Sequence, residues 1–329
     1  MHKMTLEEIR GSSTRDLVAA LRGGSFSLLK SLGFKKLRAE MTLTGLICRL
    51  IMFCTGLSGA IRRAGEDGIR RNSKAYKRMR RFLQIVAPVD CYGVFPHSDG
   101  GIVFGFNHPS LGELLRCIYI CMTQYRFQHN LFPVNLPWYE ALMPIADELE
   151  AIGIYIVPII TPSTRDKMAK TADHDTMIVV DEIARGFNAR YLDTCVDFIK
   201  DKQIIWVAPS ATRQPYLFKT QAAMAGLEKV EPQTMTLLAS ALIRHKVTDC
   251  IFQAMCVVPP RNYGRGLNLF RSYKIGIGDV LSMADARENV RKRCEHNTGR
   301  MFEYMFLTNI AVALINTDGS RFICPSVEP

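Results

Sequence analysis

From about residue 91 onward, short apolar runs of β type alternate with helical patterns, and this alternation restricts the possible folds more than any other feature of the chain. The runs fall at residues 102–106, 154–160, 204–208, 251–258 and 273–277. Helical patterns occupy 111–125, 176–200 and 234–245, and another runs from Asp285 to about Ile315. Strands that regularly hand over to helices imply an α/β domain with a largely parallel central sheet covered by helices. In such sheets ligands bind beyond the carboxyl ends of the strands, so the turns that follow the runs are where chemistry is expected.

The first 90 residues have a different texture, helical and basic, and are read as an N-terminal region ahead of an α/β domain spanning 91–329. Thr5-Leu6-Glu7-Glu8 has capping-box spacing, and a short helix is expected over 16–22, ended by Gly23-Gly24. Residues 41–61 are apolar except for Arg49, long enough in principle to span a bilayer. On a helical wheel, however, Leu46, Leu50, Phe53 and Leu57 form one stripe, while Gly45, Arg49, Met52, Gly56 and Gly59 form a weaker face. A cation cluster follows at Arg62, Arg63, Arg70, Arg71, Lys74, Lys77, Arg78, Arg80 and Arg81. The pattern predicts a helix lying in or on an anionic membrane, the alternative being a buried helix followed by a solvated basic one.

The net charge of +11 favours partners that carry phosphate or an acidic surface. None of the ten cysteines forms a Cys-x-x-Cys pair, which points to buried thiols in a reducing compartment. Early acidic residues and a late apolar stretch argue against a secretory signal, so the expected location is cytoplasmic, or stromal in a plastid, with peripheral membrane association.

Three strand-end turns carry candidate groups. After 102–106 comes Asn107-His108-Pro109-Ser110-Leu111-Gly112-Glu113, where one turn can fold the Glu113 carboxylate back onto one imidazole nitrogen of His108 while the other faces substrate. That is a general-base pair without a protein nucleophile. Ser110 to Glu113 also has capping-box spacing, so Glu113 could instead cap the helix. After 204–208, Ser210, Thr212 and Arg213 could hold a phosphate, or form a solvated loop. After 154–160, Arg165 and Lys167 could add to that anion site, or be solvated loop charges. His174 between Asp173 and Asp175 lacks further spaced ligands, so a loop is expected there and no metal site.

Taken together, these segments resemble the glycerolipid acyltransferase superfamily. Its first motif, Asn-His-x4-Asp, is matched by Asn107 to Glu113 with glutamate in place of aspartate. Trp206-Val207-Ala208-Pro209-Ser210-Ala211-Thr212-Arg213-Gln214-Pro215 is similar to a later motif of the plastid-type glycerol-3-phosphate acyltransferases, with Arg213 on the first family arginine and no match for the second. Met255 to Pro260 is similar to the family's last element, an apolar strand ending in prolines, and Arg165 is nearest to the arginine of its intermediate motif. The likeness spans roughly 95–280.

The resemblance implies transfer of an acyl group from acyl carrier protein or coenzyme A to glycerol 3-phosphate, giving lysophosphatidate without a metal or bound cofactor. In that reading His108 takes the proton, Glu113 orients it, and Arg213 holds the phosphate with help from Ser210, Thr212, Arg165 or Lys167. Lysophosphatidate or another lipid-phase acceptor is the nearest alternative. A non-catalytic binder of anionic membrane or nucleic acid is the alternative of another class, although no recognised nucleic-acid motif is present. No Gly-x-Ser-x-Gly elbow of a serine hydrolase occurs either.

Overall fold

The computed structural model of the protein describes residues 46–47, 49–64, 73–106, 108, 112–125, 128–161, 164–166, 174–208, 234–260 and 268–288. The capping sequence at Thr5 and the helix expected over 16–22 lie outside them. The chain divides into two units, a larger one of Ile51–Phe132, Glu148–Tyr155 and Cys195–Pro329 and a smaller one of Met1–Leu50, Pro133–Asp147 and Ile156–Thr194.

The expected alternation is realised as α/β architecture. In chain order the elements are α1 (Leu57–Ala64), α2 (Lys74–Val86), β1 (Val89–Tyr92), β2 (Ile102–Phe106), α3 (Gly112–Thr123), β3 (Asn130–Asn135), α4 (Leu136–Leu142), α5 (Ala146–Ala151), β4 (Ile154–Ile159), α6 (His174–Lys200), β5 (Ile204–Val207), α7 (Thr234–Arg244), β6 (Ile251–Val258) and β7 (Tyr273–Ser282). Among the described residues the strands form one sheet in the order β1-β7-β6-β2-β5-β3-β4. β2 runs parallel to both neighbours, β5 and β6. β7 is antiparallel to β6, and β1 is parallel to β7. The start of β7 therefore lies at the end of the sheet where β2 stops.

Each of the five expected strands is present. β1 and β3 are additional, and β7 continues five residues past its expected end to Ser282. α6 begins at His174, which opens this helix instead of lying in a loop. Residues 283–288 are helical and start with a reciprocal cap, Ser282 Oγ donating to Asp285 Oδ2 at 2.7 Å and Asp285 N–H donating to Ser282 Oγ at 3.2 Å. The remainder of the helix expected to about Ile315 lies outside the described residues.

In the larger unit, the middle strands are buried on both faces, as their unbroken apolar sequence dictates. Trp206 stacks on Phe104 across the β2–β5 pair at 4.5 Å between ring centroids, and on Phe132 at 5.6 Å. Each such pair contributes about 0.5–1.5 kcal/mol beyond its buried area. The indole N–H donates to Asn130 Oδ1 at 2.9 Å, so the buried polar atom of this core is satisfied. Gly100 and Gly101 admit β2 to this layer. A side chain at Gly100 would collide with the Asp249 backbone, and one at Gly101 with Ile199.

α2 packs on this unit through Ala75, Tyr76, Met79, Leu83 and Val86, the 3-4 spacing of one buried helix face. Ser73 caps it by accepting from Tyr76 N–H at 3.2 Å, and Tyr76 Oη donates to Met122 O at 3.2 Å. The apolar stretch at 41–61 is not one continuous helix. Residues 49–54 are helical, the chain turns at Thr55 and Gly56 with Gly56 at φ +70°, and α1 follows. Of its expected apolar stripe, Leu57 is buried and Leu46, Leu50 and Phe53 are exposed. Among the described residues, no helix is long and apolar enough to cross a membrane.

In the smaller unit, Leu136, Ile160, Ile183, Ala184 and Phe187 form a core against which Tyr139 packs. Asn188 Oδ1 accepts from Ile160 N–H, and its Nδ2 donates to Ile160 O, each at 3.3 Å. These bonds take up the backbone groups of Ile160, the residue just past β4.

Candidate active site

β2 delivers His108 to the carboxyl end of the sheet's parallel centre, two residues past the last strand residue, Phe106. α3 begins at Gly112 and places Glu113 in its first turn. There the imidazole Nδ1–H donates to Glu113 Oε1. The imidazole side chain keeps 26% of its surface exposed while the carboxylate keeps 2%, so the acid is held out of water and the imidazole reaches it. With Nδ1 engaged, Nε2 is the nitrogen available to a substrate hydroxyl. Of the two readings of Glu113, the contact with His108 is the one that lies within the described residues. Ser110, the other half of the capping box, lies outside the described residues.

Arg116, one turn beyond Glu113, did not register as a site residue in the sequence. It is fully buried. Its Nη1 donates to Gly112 O at 2.8 Å, and its Nη2 donates to Asn268 O at 2.9 Å and Arg271 O at 2.8 Å. The guanidinium lies over the Tyr273 ring, 4.1 Å from its centroid. Burial lowers its pKa to about 10, against the opposing pull of Tyr273 and Glu113. The signal was there to be read, since Leu114-Leu115-Arg116-Cys117-Ile118 sets a lone cation inside an apolar helical run, where a buried charge requires partners.

The same end of the larger unit receives other chain segments. Val207 pairs with Gly105, so β5 ends beside the strand that carries His108. Ser210, Thr212 and Arg213 follow β5 in sequence and lie outside the described residues, as does Lys167. β6 ends there too, with Met255 beside Phe106. The turn before β7 is tied to α2 by Phe270 N–H, which donates to Val86 O at 2.8 Å. Phe270 stands exposed at φ +61°.

Arg165 belongs to the smaller unit, in a helical turn at 164–166. Its guanidinium forks onto Asp181, Nε to Oδ1 at 2.5 Å and Nη2 to Oδ2 at 2.8 Å. The hydrogen bonds and charge of Arg165 hold the Asp181 carboxyl below its ordinary range. An anion seeking Arg165 would therefore compete with an acid already in place. Nearby in the same unit, Asn135 Nδ2 donates to Thr164 Oγ1 at 2.6 Å, and Thr161 Oγ1 donates to Thr164 Oγ1 at 3.1 Å. No family model matches the chain, and a search of curated proteins finds no significant match.

Proposed function

We propose that the chain is an O-acyltransferase that moves a fatty acyl group from an acyl carrier protein or coenzyme A thioester to the hydroxyl of glycerol 3-phosphate, giving lysophosphatidate. The observation that carries this reading is the His108–Glu113 pair, a buried carboxylate behind a partly exposed imidazole at the carboxyl end of the central parallel strand. His108 Nε2 takes the acceptor's O–H proton while that oxygen attacks the thioester carbonyl carbon. The C–S bond then breaks and the thiolate leaves, receiving the proton back from the imidazolium as free thiol. Glu113 fixes the tautomer with hydrogen on Nδ1 and stabilises the imidazolium between the two transfers. No side chain need be acylated.

In the family likeness Arg213 holds the acceptor phosphate, with Ser210 and Thr212 beside it. Arg165 and Lys167 are the further cations proposed for that role, and Arg165 would first have to give up Asp181. Alignment of two substrates in one cleft would supply much of the rate, as it does wherever a bimolecular step becomes effectively unimolecular.

One feature favours a lipid-phase acceptor such as lysophosphatidate as the second reading. Lys74, Lys77, Arg78 and Arg81 share one exposed stripe of α2, and exposed Ile85 continues it toward the turn that presents Phe270. α2 contains no acidic residue. Cations followed by apolar side chains suit an anionic bilayer surface, and peripheral membrane association is part of the proposal.

The test is transfer from acyl-coenzyme A or acyl carrier protein to labelled glycerol 3-phosphate, run beside lysophosphatidate. His108→Ala should abolish product, and Glu113→Gln should lower kcat on the order of 10²-fold while the fold is kept. Exclusive use of lysophosphatidate would move the assignment to the second reading. Full activity in folded His108→Ala would remove the reaction altogether.

A further inference from the structure

A buried arginine is an expensive way to fill space in a helix. An apolar residue of similar volume at its position would generally be neutral or better for stability. Arg116 nonetheless sits fully buried one turn from Glu113, itself a buried acid. Two features of the arrangement link the cation to that acid. The Nη1 bond to Gly112 O grips the residue just before Glu113, while the Nη2 bonds to Asn268 O and Arg271 O anchor the same guanidinium to the turn before β7. The backbone from which the carboxylate projects is thereby tied to a chain segment more than 150 residues away in sequence. The charges are also complementary, because Glu113 favours the charged form of Arg116.

We propose that Arg116 is a positioning residue of the His108–Glu113 pair, which fixes the first turn of α3, and with it the backbone from which Glu113 projects, to the 268–271 turn. The inference rests on reading His108 as the general base.

Without the fork the first turn of α3 is no longer tied to the 268–271 turn, and the Glu113 carboxylate is held less well behind His108. A group that served stability alone would lower the unfolding midpoint and leave the His108–Glu113 hydrogen bond of the folded protein, and the balance of kcat against KM, where they were.

The experiment uses the full chain with Arg116→Met and Arg116→Lys. The His108–Glu113 hydrogen bond is followed through the Nδ1–H resonance of ring-labelled histidine, and acyl transfer to glycerol 3-phosphate is measured beside it. Both variants lose the fork, so the resonance should move or broaden in the folded protein, and kcat should fall about 10²-fold, the scale of a misplaced reacting group, with KM little changed. If Arg116→Met fails to fold, Arg116→Lys still decides, because a folded lysine variant with wild-type kcat and an unmoved resonance would overturn the positioning role. The resonance is read without turnover, so an inactive wild type whose resonance still responds to Arg116→Lys would sink the acyl-transfer reading and sustain the positioning role.

Discussion

At the scale of single residues, the molecule separates groups that serve packing from groups that serve chemistry. Trp206 was conspicuous through its family likeness, but its described contacts are those of the core, stacked between rings and donating to Asn130. Trp206→Phe keeps most of the stacking and leaves Asn130 Oδ1 buried without that donor, which costs about 1–3 kcal/mol. Denaturant unfolding should show this as a lowered midpoint at constant slope, and the proposed acyl transfer should persist below the transition. A variant as stable as wild type would mean that the indole N–H contributes nothing. Asp181 makes a second prediction. Arg165 lowers its pKa, so the pair's contribution is present above the ordinary carboxylate range and is lost as pH falls through the depressed value. Carboxyl NMR should place the Asp181 midpoint below the usual 3.8, and Arg165→Ala should return it upward. The His108–Glu113 pair was legible because its spacing and its place after a strand are local facts. Arg116 was legible only as a lone cation that needs partners; the partners themselves, Asn268 and Arg271, come from distant sequence that only the folded sheet brings near.

At the scale of elements, long apolar runs announced themselves and short mixed strands did not. β2, β5 and β6 are buried on both faces and read as unbroken hydrophobic segments. β1 is only Val89-Asp90-Cys91-Tyr92 and mostly exposed at the sheet edge, so no run marks it. β3 carries Pro133, normally a reason to deny a strand, but its pairing with β5 involves Asn130 and Leu131, before the proline. The helix broken at Gly56 was concealed for the opposite reason, because an apolar stretch shows hydrophobicity and not the turn inside it. The entry to β2 is where an element can be tested. Gly100→Ala would drive a methyl group into the Asp249 backbone, which cannot yield as a flexible side chain would. We expect destabilisation of about 1–3 kcal/mol, the usual scale of overpacking, by thermal or denaturant unfolding. A neutral substitution would mean that the approach of β2 to residue 249 is looser than described.

At the scale of the whole molecule, charge decides what the protein can meet. The excess of +11 is not spread evenly, since α2 alone presents Lys74, Lys77, Arg78 and Arg81 on one exposed stripe. Deleting residues 1–90 would be a poor test of its role, because it would remove Ala75, Tyr76, Met79, Leu83 and Val86 from the core and cut within β1. Reversing charges on the stripe leaves that buried face intact. Lys77→Glu with Arg78→Glu and Arg81→Glu should therefore fold as wild type does and lose most of its sedimentation with vesicles containing phosphatidylserine. Wild-type binding should weaken as salt is raised from 0.05 to 0.5 M, since surface attraction is screened over about 10 Å at 0.1 M and less above it. Phe270→Ser should weaken binding with little change in that salt dependence, because the exposed ring contributes apolar contact and not charge. If the charge-reversed protein still sediments fully while Phe270→Ser does not, the apolar turn dominates and the cationic stripe serves another partner. If neither change matters, the end of the sheet that bears His108 does not meet the bilayer by this face, and the soluble acceptor glycerol 3-phosphate becomes the stronger of the two substrate readings.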